Sequence, residues 1–143
     1  MCNGDEIRLN LNLKRLLRFH ERSNSTATVI GANANKLYNE AVLKIREGRV
    51  FDVIIDDIRY LAKPDEVDIA SAGMMVINRE AIKYFDQKYG TGWNSILIPL
   101  VNGGQLCAYV DQNVAFFNIN TGSQVAVARE YLRQNTADCQ RCK

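Results

Sequence analysis

Residues 101–122 read VNGGQLCAYVDQNVAFFNINTG, an apolar run broken by small turn-forming residues. How this run folds decides the fold class. Asn102-Gly103 is a strong hairpin signal. It favours a meander of SILIPLV at 95–101, QLCAYV at 105–110 and VAFFNI at 114–119, with a turn at Asp111–Asn113. The same residues fit a short helix, because Leu106, Tyr109 and Val110 stand at i, i+3 and i+4. As a strand, Leu106, Ala108 and Val110 would share one face and Cys107 and Tyr109 the other. Both patterns fit.

Around this stretch, strand-like and helix-like segments follow one another. EIRLNLNL at 6–13 alternates strictly and predicts a half-buried strand. LKRLLRFHER reads as a helix with Leu13, Leu16, Leu17 and His20 near one face. On another face Lys14, Arg18 and Arg22 recur every four residues, and with no aromatic ladder beside them they read as a solvated surface. TATVI at 26–30 is a β-branched strand candidate. Gly31 breaks it, and Asn33 or Asn35 can cap a helix over 35–47 whose stripe is Leu37, Ala41, Val42 and Ile45, with Gly48 as its C′ residue. VFDVIID at 50–56 predicts a strand buried on both faces. After the loop AKPDEV, residues 78–89 predict a helix with a start as early as Ser71. SILIPLV predicts a buried strand, Pro99 marking a missing ladder donor or the strand's end. SQVAVAREYLRQN at 123–135 closes the chain as a helix.

Size and charge narrow the classes. A chain of 143 residues is by default one domain. Lys+Arg 18 against Asp+Glu 16 leaves +2, too near neutral to point to nucleic acid or an anionic membrane. No apolar run approaches the roughly 20 residues that span a bilayer, and the N-terminus lacks a signal-peptide pattern, so a cytoplasmic setting is expected. Cys139 and Cys142 form a lone pair without a second pair at zinc-ligand spacing. His20 is the only histidine and reads as a helix-face residue; Cys107 reads as a core thiol. Asp56 and Asp57 are adjacent on a strand and point to opposite faces. GANAN at 31–35 lacks the spacing of a phosphate loop. No metal, no cofactor and no catalytic constellation are expected.

The order of pieces resembles the STAS domain of anti-sigma-factor antagonists. VIIDDI looks like that family's buried strand, Ala70-Ser71-Ala72-Gly73 like the DSSG turn that starts its second helix, and NINTGSQVAVAREYL like its closing strand and helix. Ala72 stands where many members carry the phosphorylated serine; Ser71 beside it is the remaining candidate phosphosite. The resemblance implies an α/β fold with a mixed, mostly parallel sheet of four to five strands and helices packed on it. The alternative is α+β with a C-terminal antiparallel meander. It also implies a helix over Gln105–Asp111 and a last strand at Ala115–Ile119. Residues 26–135 would be the STAS-like domain, 1–25 an extension and 136–143 a flexible tail.

The function so implied is non-enzymatic: a regulatory or scaffolding protein that binds a protein partner, anti-sigma-factor-like or a second copy of itself, through the turn at 69–77. Ser71, Ala72, Gly73, Met74 and Met75 would form the switch surface. Two further classes stand beside it. One is a homo-oligomeric assembly protein, a homodimer at its simplest, using SILIPLV and VAFFNI. The other is a small-ligand or nucleotide binder using Asn33, Asn35 and Arg59.

Overall fold

The computed structural model describes residues 4–33, 41–55, 69–90 and 92–140. Five strands close into a small barrel: β2 (Ala27–Asn33), β3 (Val42–Arg46), β4 (Arg49–Ile54), β5 (Ile69–Ile77) and β6 (Leu106–Val110), in the order β2-β5-β3-β4-β6. Every pairing is antiparallel except the one that closes the barrel. There β6 runs parallel to β2, from Ala27 opposite Leu106 to Gly31 opposite Val110. The mixed α/β class expected from the sequence holds; the mostly parallel sheet does not.

Residues 105–111 are therefore neither the helix of the STAS resemblance nor the middle of a meander. Leu106 and Ala108 enter the main buried cluster while Tyr109 packs on a second one, the alternation of a strand covered on both sides. β7 (Ala115–Asn118) does not turn back on β6. It pairs antiparallel with β1 (Glu6–Leu9) as a separate two-stranded ribbon, Glu6 opposite Asn118 and Arg8 opposite Phe116.

The helix expected over 35–47 falls partly outside the described residues, and its described end, Val42–Arg46, is strand β3. Gly48 is the second residue of a two-residue hairpin turn, not a helix C′. Glu47 and Gly48 have φ of 51° and 78°, the two positive values that a twist-matched β-hairpin needs. Val50, just beyond, is buried, but Phe51 is half exposed beneath the Arg46 guanidinium, 4.9 Å from its ring centroid. β4 is thus not buried on both faces.

SILIPLV, expected as a strand, is helix α2 (Asn94–Asn102) with Pro99 inside it. Proline has no N–H to give to the carbonyl four residues back. That carbonyl, of Ser95, accepts instead from the Asp86 N–H at 2.8 Å. The exchange ties α2 to the preceding segment, where two short 3₁₀ turns (Arg79–Tyr84 and Gln87–Tyr89) replace the expected helix. Ile96, Leu97 and Leu100 of α2 share one buried cluster with Val29, Val50, Met75 and Leu106. Each such side chain removed from water stabilises the fold by about 1.5–3 kcal/mol.

Helix α1 (Leu13–Arg22) starts where the Asn12 side chain accepts from the Arg15 N–H at 3.0 Å, and it buries Leu16 and His20. Leu16 joins Ile30, Ala32, Ala72 and Phe116 in a second cluster on the outside of the barrel, between barrel and ribbon. His20 is pinned at both ring nitrogens, 2.9 Å from Thr28 Oγ1 and 2.9 Å from Asn78 Oδ1. It fastens α1 to β2 and to the end of β5. Helix α3 (Gly122–Gln140) buries Ala128 and lays Tyr131 against Phe117, ring centroids 5.0 Å apart. Among the described residues no helix is long and apolar enough to cross a membrane.

Candidate functional site: a buried polar cluster between ribbon and barrel

The alternation of β1 sets Glu6 and Arg8 on one face and Ile7 and Leu9 on the other. The polar face is turned inward. The Glu6 side chain is 2% exposed and that of Arg8 10%. The two form an ion pair, and Arg8 Nε donates to the Ala72 carbonyl at 2.7 Å. The Arg8 guanidinium lies 5.7 Å from the Phe116 ring centroid, a cation–π contact made in a largely dry setting. Directly across the ribbon from Glu6 is Asn118, whose Oδ1 is buried.

The barrel closes this cluster with Gly73. Its φ of +58° lies in the left-handed region, and a Cβ built on it would run into both carboxylate oxygens of Glu6. Only glycine suits both conditions. The β2–β5 register slips there, since Val29 faces Met75 while Gly31 faces Ser71, leaving 72–74 as a bulge on β5. The bulge delivers the Ala72 carbonyl to Arg8. A buried charge pair of this kind is satisfied only while each partner keeps its bonds; removing one partner costs about 3–5 kcal/mol.

Segment 69–77, expected as a turn leading into a helix, is the nine-residue strand β5. Ser71, Ala72, Gly73 and Met75 are buried and Met74 is partly buried, so they present no helix-start surface to a partner. The Ser71 hydroxyl, the expected phosphosite, is buried and finds no hydrogen-bond partner among the described residues. Asn33 ends β2 opposite Ile69 rather than capping a helix. Asn35, Arg59, Asp56, Asp57, Cys2 and Cys142 lie outside the described residues, and so does the Cys139 side chain. Cys107 is a free, buried thiol. Among the described residues no three His, Cys, Asp or Glu side chains gather as metal ligands would. Of the expected site residues that are described, Ala72 and Gly73 alone reach the polar cluster. Glu6, Arg8 and Asn118 escape sequence reasoning because a polar face on an alternating strand is normally the solvent face.

No protein-family model matches the chain, and no curated protein matches it in sequence. Solved structures do match, 157 chains of them, so the fold is a recurrent one. One of them shares this fold and is not a STAS domain. It is a Bacillus anthracis protein provisionally assigned as a glucose-1-phosphate thymidylyltransferase and solved with a sucrose. Its TM-score is 0.69 at 13% identity, over 91% of this chain. The chain spans about half, 52%, of that protein's length. The STAS resemblance is overturned on two counts, the strand at 106–110 and this likeness. The expectation of a non-enzymatic protein falls with it, because the fold shared here is that of a protein provisionally assigned as an enzyme.

Proposed function

We propose that this chain is the sugar-phosphate-holding part of an enzyme of nucleotidyltransferase type, with the cluster of Glu6, Arg8, Gly73 and Asn118 as its polar end. The observation that carries the proposal is the fold likeness over 91% of the chain to a structure provisionally assigned as a glucose-1-phosphate thymidylyltransferase. The chemistry of the cluster supports it. Sugar hydroxyls both donate and accept. A carboxylate accepts, a guanidinium donates and a carboxamide does both, the complement of such a ligand once the paired, buried Glu6 and Arg8 give up part of their mutual contact. A glycine at the centre lets the Glu6 carboxylate approach the backbone closely. The cytoplasmic setting expected from the sequence belongs to this proposal as well.

Melting temperature in the presence of glucose 1-phosphate, dTDP-glucose and plain glucose tests it. A ligand at about 100 times its Kd stabilises the native state by about 2.7 kcal/mol. A clear rise is expected with at least one phosphorylated sugar, reduced in Glu6→Gln and Asn118→Ala. No rise with any of the three would refute the proposal.

A further inference from the structure

A concave site lies elsewhere on the barrel and shares no residue with the polar cluster. A cavity of about 290 Å³ opens between the C-terminal end of α1 and the β3–β4 turn. Its lining includes Phe19, Arg22, Glu47, Arg49 and Cys107. Arg49 and Cys107 are cross-strand partners where β4 meets β6. Cys107, only 4% exposed, belongs to the barrel wall, while Arg49 is exposed on the surface.

The charges around this cavity are not used up among the described residues. Arg22 is exposed, and its side chain forms no ion pair or hydrogen bond among the described residues. Arg49 gives one N–H to the Gly104 carbonyl at 3.1 Å, and a guanidinium carries five. Glu47, the single carboxylate of the lining, is held in the hairpin turn at φ 51° and pairs with neither arginine. Two guanidinium groups against one carboxylate leave the wall net cationic. Phe19, half-buried and edge-on to Tyr109 at 5.5 Å between ring centroids, adds an apolar side.

Guanidinium forks match the oxygens of a phosphate bidentately, and a cavity of this size exceeds what a bare phosphate fills. We infer that the cavity beside Arg22 and Arg49 binds a small organic phosphate, the phosphate between the two guanidinium groups and the organic part toward Phe19. It is a second ligand site, independent of the sugar-phosphate proposal, because it stands on other residues.

Cys107 is a buried thiol in the cavity wall, so its alkylation follows local opening of that wall and slows when a ligand holds it closed. The rate of its alkylation by iodoacetamide, resolved from that of Cys2, Cys139 and Cys142 by peptide mass spectrometry, is measured in chloride, in inorganic phosphate and in phenyl phosphate at matched ionic strength. The expected result is at least a 3-fold slowing at Cys107 with phenyl phosphate. Inorganic phosphate gives the same slowing at higher concentration, and both effects are lost in Arg22→Gln and in Arg49→Gln. Melting temperatures of the two variants close to that of the parent show that they fold. Equal Cys107 rates in all three salts would overturn the inference. So would protection that survives in both folded variants, because the anion would then act somewhere other than this cavity.

Discussion

Replacing Gly73 by alanine separates the polar cluster from ordinary turn strain, provided that Gly48→Ala is measured beside it. Both glycines have positive φ, +58° at Gly73 and +78° at Gly48. Each alanine therefore costs roughly 1–2 kcal/mol of backbone strain. At Gly48 nothing lies within 4 Å of the added Cβ, so strain is the whole effect. At Gly73 the Cβ occupies the place of the Glu6 carboxylate. Glu6 must leave, and Arg8, only 10% exposed, loses its buried counter-ion. That adds about 3 kcal/mol or more. With an m-value of about 2 kcal/mol per M urea, the Gly73→Ala midpoint should lie about 1.5 M below that of Gly48→Ala. Urea titration followed by circular dichroism at equal m reads the difference. Coincident midpoints for the two variants would show that Glu6 does not sit against Gly73, and the cluster as described would be wrong.

Other consequences are checked in the same assays. Leu97→Ala, at a fully buried position of α2, should cost about 2–5 kcal/mol, whereas Leu17→Ala, at a position 48% exposed, should stay within about 0.5 kcal/mol. His20→Ala leaves the fully buried Thr28 hydroxyl without its ring partner and should cost about 1–3 kcal/mol for that group. Adding Thr28→Val should return part of the loss, and strictly additive effects would argue against the contact. Burial, with the Asp111 charge adding to it, holds the Tyr109 phenol above its ordinary value. The neutral phenol is favoured in the folded state, so this contribution is present below the unfolded value and fades as pH rises through the folded one. Absorbance titration at alkaline pH should show Tyr109 ionising late. Asp111→Asn should move it earlier without removing the shift, since burial is the larger cause.

Elements governed by local pattern were legible in the sequence. The alternation of 6–13 yields a strand only over EIRL; the stripe of 13–22 is helix α1; TATVI falls in β2, which runs on through Gly31 to Asn33; and the closing helix expected over 123–135 spans Gly122–Gln140. The failures came where tertiary context overrode a short apolar run. SILIPLV carries no period, and a helix buried on most sides looks like a buried strand. Pro99 argued for a strand end only because the Asp86 N–H that takes over the Ser95 carbonyl is far from it in sequence. The stripe in 37–45 fitted a helix, while the decisive signal was the Glu47-Gly48 pair flanked by Arg46 and Arg49, a two-residue hairpin turn. At 106–110 both patterns fitted, and only the partner, β2 running parallel, decides between them. The site was hidden for a related reason. Nothing local says that the Glu6 and Arg8 face of β1 turns inward; that follows from the ribbon folding over the bulge at Gly73.

The central claim, a sugar phosphate held at the Glu6, Gly73 and Asn118 cluster, is tested most directly by ¹H–¹⁵N NMR titration of the chain with glucose 1-phosphate and dTDP-glucose. Saturable shifts centred on the Gly73 amide and the Asn118 backbone and side-chain amides are predicted, and they should be abolished in Glu6→Gln. No perturbation at those amides up to millimolar ligand, or shifts left intact by Glu6→Gln, would contradict it.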